Sequence, residues 1–113
     1  MALVGLGAGI IALDDRGQNA ISVAPGANHL LTVEDVERCS ADLAASRVLL
    51  MQLETPLDAV AHAAARARQH GVTVVLNPAP AQELPSKLLE TVDVLTPNEH
   101  EAATLTGLSV TDV

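Results

Sequence analysis

The 113-residue chain is long enough for one domain, and its 49% hydrophobic content makes it a globular sequence rather than a disordered one. Six basic residues against fourteen acidic ones give a net charge of -8, which repels a phosphate backbone and an anionic lipid surface, so neither nucleic acid nor membrane is an expected partner. Phe, Tyr and Trp are absent, which leaves Leu, Val, Ile and Ala to build a core from smaller contributions, and a single cysteine excludes an internal disulfide.

Residues 9 to 24 read as an antiparallel hairpin: Gly9-Ile10-Ile11-Ala12-Leu13, a turn at Asp14-Asp15-Arg16-Gly17, then Asn19-Ala20-Ile21-Ser22-Val23. Before it, Gly5-Leu6-Gly7-Ala8-Gly9 falls short of a dinucleotide-binding fingerprint, because Ile10 stands where Gly is required and no helix follows. Pro25-Gly26-Ala27-Asn28 ends the hairpin, and Thr32 with Asp35 opens a helix carrying Val33, Val36, Cys39 and Leu43 on one side. That spacing predicts a buried, unreactive thiol at Cys39.

From Arg47 onward strand and helix alternate. Val48-Leu49-Leu50-Met51-Gln52-Leu53 is followed by a helix over 55 to 70, with Thr55 as N-cap, Pro56 in the first turn and Gly71 as the stop. Val72-Thr73-Val74-Val75-Leu76, a weaker helix over 84 to 90, Val92-Asp93-Val94-Leu95 and a helix ending at Gly107 complete the series. Apolar strands separated by helices predict an α/β fold whose parallel sheet is buried on both faces. The run Leu108-Ser109-Val110-Thr111-Asp112 resembles the approach to another helix, so a truncated chain of marginal stability is expected. No apolar run has membrane-spanning length and no signal peptide is evident, so a cytoplasmic location is expected.

Three strand-to-helix junctions fall on one carboxyl edge of this sheet, where open α/β sheets bind ligands: Glu54, Asn77, and Asn98 through Glu101. Glu54 is either a first-turn carboxylate or an acceptor for vicinal sugar hydroxyls. Asn77-Pro78-Ala79-Pro80 is either a rigid turn or a second polar wall of the pocket. Asn98 and Glu101 have capping-box spacing, yet a helix start facing a cleft also suits anions and a hydrated Mg²⁺. Glu99 and His100 read as solvated surface groups, and His29, His62 and His70 lack metal-ligand spacing.

Taken in order, Asp14-Asp15-Arg16-Gly17-Gln18-Asn19, Ala24-Pro25-Gly26-Ala27-Asn28, Leu50-Met51-Gln52-Leu53-Glu54, Leu76-Asn77-Pro78-Ala79-Pro80 and Thr96-Pro97-Asn98-Glu99-His100-Glu101 resemble the ribokinase branch of the ribokinase-type sugar kinase family. The resemblance runs from about Ile10 to Val110. It implies a partial three-layer α/β fold, a mainly parallel sheet with flanking helices, preceded by part of a β lid. Residues 1 to 28 would be the partial lid hairpin and 29 to 113 the partial kinase core. It further implies ATP-dependent phosphorylation of D-ribose to ribose 5-phosphate, with Mg²⁺ and activation by K⁺ from a site elsewhere. Glu54 would contact ribose hydroxyls, Asn98 the ATP phosphates, and Glu101 the Mg²⁺ through water, while the lid would pair two subunits of a homodimer. The family's amino-terminal Gly-Gly-Lys-type segment and its later Gly-Ala-Gly-Asp segment, whose Asp is the general base, have no counterpart here. A central fragment, inactive by itself, is therefore expected. A kinase of another sugar or nucleoside, or a noncatalytic α/β binding module, remains the alternative.

Overall fold

Alternating strands and helices are realised in the computed structural model, which describes residues 8–13, 15–16, 19–24 and 26–109. The glycines at 5 and 7, the turn residues Asp14, Gly17 and Gln18, Pro25, and the expected helix approach at 110–113 lie outside the described residues. Strands β1 (Ala8–Leu13) and β2 (Asn19–Ala24) form the expected antiparallel hairpin, in register from Ala8 opposite Ala24 to Leu13 opposite Asn19. A 3₁₀ helix, Gly26–Leu30, spans the expected boundary between lid and core; Gly26 starts it at φ 54°, a left-handed value that favours glycine.

Helix α1 (Val33–Arg38) starts where the sequence places it, with a full capping box. The Thr32 hydroxyl accepts from the Asp35 N–H at 3.2 Å, and the Asp35 carboxylate accepts from the Thr32 N–H at 2.9 Å. That backbone hydrogen bond, above all, holds the Asp35 carboxyl below its ordinary value. The helix does not continue through Cys39. Cys39 caps it at φ -98°, ψ 9°, and a second short helix, α2 (Ser40–Ala45), begins one residue later. The break rotates Cys39 off the apolar face, so the thiol is exposed rather than buried.

The core is a parallel sheet in the order β3 (Val48–Met51), β4 (Thr73–Leu76), β5 (Val94–Leu95). Helix α3 (Leu57–Gln69) crosses from β3 to β4, α4 (Ser86–Leu89) from β4 to β5, and α5 (Glu99–Thr106) follows β5. Thr55 is not the cap of α3. Pro56 occupies the N-cap position at φ -54°, ψ 136°, because its ring removes the N–H a first-turn hydrogen bond would use and favours extended entry. The other end is as read: His70 caps the helix and Gly71 turns the chain at φ 70°.

Alanines at 64 and 67 let α3 lie close on the sheet, where Leu53, Val60, Val72, Val74, Leu76 and Leu88 complete the buried cluster. Parallel pairing aligns Leu49 with Val74 and Met51 with Leu76 on this face. The opposite face departs from expectation: Leu50 is 71% exposed, Val48 55% and Val94 46%. The reason is topological. Strands laid down in one direction with right-handed crossovers put consecutive helices on the same side, and α1, α2 and α4 all pack against α3. Asp93 fixes the last strand: its carboxylate accepts from the Val74 N–H at 2.8 Å, and its N–H donates to the Val74 carbonyl at 2.9 Å. Among the described residues no helix is long and apolar enough to cross a membrane.

Candidate active site

Backbone hydrogen bonds hold the three carboxyl ends of the sheet level. The Asn77 N–H donates to the Met51 carbonyl at 2.9 Å, the Leu53 N–H to the Ala79 carbonyl at 2.9 Å, and the Thr96 N–H to the Leu76 carbonyl at 3.1 Å. The junctions carrying Glu54, Asn77 and Asn98 therefore leave the sheet side by side, as parallel pairing of the three apolar strands requires.

Beside β3 lies an open cleft of about 480 Å³, within the range of small-ligand sites. It is lined by Leu49, Leu50 and Met51 of β3, by Ala59, Val60 and Ala63 of α3, and by Leu31 and Val36. Four polar residues line this apolar setting: Asn28, Gln52, Glu54 and Thr55. A few polar groups converging in an apolar recess can orient a polyhydroxylated ligand, the carboxylate and amide oxygens accepting from its hydroxyls. Glu54 is exposed and so keeps its carboxylate available.

The other three residues singled out from the sequence do not line this cleft. Asn77 is half-buried at the end of the central strand, and its carbonyl accepts from the Ala79 N–H at 2.8 Å. Asn98 and Glu101 stand after β5, two strands from Glu54, a lateral separation on the order of 10 Å from strand spacing. There the capping reading is realised: the Asn98 side chain accepts from the Glu101 N–H at 2.8 Å, and the Glu101 carboxylate accepts from the Asn98 N–H at 2.8 Å. Glu101 is only 6% exposed. Its carboxylate thus serves the helix first, with the start of α5 facing the same sheet edge. Among the described residues no group of three or more His, Cys, Asp or Glu side chains converges as a direct metal site. A Mg²⁺ near the start of α5 would meet Glu101 through water, since one of its carboxylate oxygens is engaged by the cap and the residue is nearly buried.

Sequence reasoning did not assign Asn28, Gln52 and Thr55 to the cleft. Gln52 and Asn28 each sit within a motif of the resemblance, Asn28 also closing the break after the hairpin, and Thr55 was read as a helix cap. A second unread constellation joins α1 to α3: His62 Nε2 lies 2.5 Å from Glu37 Oε1, and Arg66 Nε lies 3.1 Å from the same oxygen. The Arg66 contact is an ion pair whose angle makes no hydrogen bond, and Arg66 Nε is buried without one. The hydrogen bond to His62 is the main cause that lowers the Glu37 pKa; desolvation opposes it, and the nearby Arg66 charge adds a smaller lowering effect.

Comparison with known proteins gives this geometry its context. The pfkB family carbohydrate kinase pattern matches residues 7–113. The chain is 49% identical over 106 residues to the ribokinase of Haemophilus influenzae, covering 94% of this chain and 35% of that protein. It is 51% identical over 107 residues to a bifunctional ribokinase/ribose-5-phosphate isomerase A of Fructilactobacillus sanfranciscensis, covering 94% of this chain and 20% of that protein. The structure of Arabidopsis thaliana ribokinase complexed with ribose and ATP superposes with a TM-score of 0.73 at 29% identity, covering 92% of this chain and 34% of that one. The chain thus spans between a fifth and just over a third of the length of these relatives.

Proposed function

We propose, because the chain belongs to the pfkB family of carbohydrate kinases, that it forms part of an enzyme transferring the γ-phosphoryl group of ATP to a hydroxyl of D-ribose, giving ribose 5-phosphate. The observation that carries this reading is the gathering of Asn28, Gln52, Glu54 and Thr55 in one apolar cleft at the carboxyl edge of the sheet. Glu54 accepts hydrogen bonds from two adjacent sugar hydroxyls, and the apolar lining takes the carbon face of the ring. Asn98, at the start of α5, approaches the ATP phosphates, where helix N–H groups favour negative charge. Glu101 steadies a hydrated Mg²⁺, whose contribution when bound is to neutralise phosphate charge. Asn77, between the two regions, is a wall of the sugar side. K⁺ activation and the proton-accepting base are assigned to no residue of this chain, so the 113 residues alone are expected to give no ribose-dependent ADP. The β1–β2 hairpin is the lid portion through which two subunits pair, in a cytoplasmic homodimer.

The test is ATP turnover by the full-length gene product with D-ribose, 2-deoxy-D-ribose and D-fructose as competing acceptors. Ribose is preferred, and Glu54→Gln raises the KM for ribose about 10- to 100-fold, the range for a hydrogen bond to a charged group, leaving the KM for ATP unchanged. Preference for another acceptor, or a Glu54 effect on ATP alone, refutes the assignment.

A further inference from the structure

Strand β5 is two residues long, yet α5 and its Asn98 cap follow directly from it. Among the described residues no other element packs extensively on α5. The place of its start is therefore set by the short run from Asp93 to Asn98.

Hydrogen bonds of the central strand show what holds that run. The Thr73 N–H donates to the Arg47 carbonyl at 3.1 Å and the Asn77 N–H to the Met51 carbonyl at 2.9 Å, both toward β3. Donors alternate sides along a strand, so the N–H groups of Val74 and Leu76 face β5. But β5 begins at Val94, opposite Val75, too late to offer a strand carbonyl to Val74. Val74 is fully buried, and a buried N–H needs an acceptor. Asp93 supplies it: Oδ2 accepts from the Val74 N–H at 2.8 Å, while the Asp93 N–H donates to the Val74 carbonyl at 2.9 Å. Both backbone groups of Val74 are thus tied to one residue. A second tie, from the Thr96 N–H to the Leu76 carbonyl at 3.1 Å, lies just before Pro97 and Asn98.

This pairing also marks the register. The neighbours that a slip would bring opposite Val74 are Thr91, Val92, Val94 and Leu95, none with a carboxylate, so a slipped strand loses the pair of bonds. A slip of one residue turns the strand over, and a slip of two carries the start of α5 about 7 Å along the sheet.

We propose that Asp93 is a positioning residue: its carboxylate stands in for a backbone carbonyl, locks the register of β5 and so fixes where the start of α5 meets the ligand-binding edge. It sits at the amino end of β5, away from that edge, and acts through register alone. That the group so placed serves the ATP phosphates rests on the reading of Asn98 above.

The full-length gene product tests this by amide NMR and kinetics together. In Asp93→Ala the Val74 amide exchanges about tenfold faster, the Asn98 and Glu101 amide shifts move, and the KM for ATP rises about tenfold, within what a misplacement of about 1 Å can cost. The KM for ribose stays within about twofold. Asp93→Asn keeps an acceptor oxygen in the same place and restores all three readouts. Asp93→Ser, polar but too short to reach Val74, repeats the Ala result should that variant not fold. Val94→Ala, which weakens the same strand without touching the bond, leaves both KM values within about twofold. Unmoved Asn98 and Glu101 amides in Asp93→Ala, an equal rise in both KM values, a failure of Asn to restore, or a Val94→Ala effect on the KM for ATP as large as that of Asp93→Ala overturns the proposal. Moved amides with an unchanged KM for ATP uphold the placement of α5 and sink the phosphate reading of Asn98, so the two failures are distinguishable.

Discussion

At the scale of single residues, Asn98 and Glu101 show how one arrangement serves two ends. Each side chain takes the other's backbone N–H, so substitution confounds helix stability with ligand binding unless the cap is preserved. Asn98→Ala is expected to lower stability by about 1 kcal/mol, measured by urea unfolding. Asn98→Asp keeps an equally good cap but sets a negative charge toward the phosphates. Its expected signature is unchanged stability with the KM for ATP raised about tenfold; an unchanged KM would leave Asn98 as a cap alone. This capping box was legible because it is local, with partners three residues apart. The Glu37–His62 pair was not, since its partners are separated by 25 positions and no spacing rule connects two helices. Cys39 was misread for a related reason: helical periodicity assumes an unbroken helix, and the chain breaks at that residue.

Elements follow their punctuation more closely at one end than the other. Gly71 ends α3 at φ 70° with nothing within 4 Å of the position an added Cβ would occupy. Gly71→Ala therefore tests backbone strain alone and is expected to cost about 1 to 2 kcal/mol. By contrast Leu76→Ala, at a fully buried position, should cost about 2 to 5 kcal/mol by opening a cavity. Chemical denaturation of the two variants ranks them; equal losses would mean that the sheet relaxes around Leu76. The parallel pairing and the hairpin were readable from period and turn residues. The start of α3 was not, because Thr55 and Pro56 are both good helix-start residues and only the backbone decides which one takes the N-cap.

For the molecule as a whole, the sheet has a covered and an uncovered side. The radius of gyration, 16.0 Å, exceeds the roughly 13 Å of a compact domain of this length, in keeping with a flat body of 48 × 40 × 21 Å. Val48 and Val94 lie on the bare side. Contiguous apolar surface favours self-association, which the net charge of -8 opposes. In the 113-residue chain, Val48→Lys combined with Val94→Lys is expected to remove association beyond a hairpin-paired dimer in sedimentation while changing unfolding free energy by no more than about 0.5 kcal/mol. An unaltered sedimentation profile would exclude this face as the contact. Two-sided burial was expected from strand composition, but composition records only that a face is apolar; the handedness of the crossovers decides which face these helices reach.

The same strand order bears on how the chain acquires its structure. Each core strand pairs with the next one along the sequence, joined by a single crossover helix, so no pairing waits for a distant segment. Among parallel arrangements this order closes the shortest loops, so it costs less chain entropy than one that skips a strand. Parallel pairing is still slower than helix formation, so the sheet β3–β5 is expected to form after the helices between its strands and then to offer strands beside it an edge already in place.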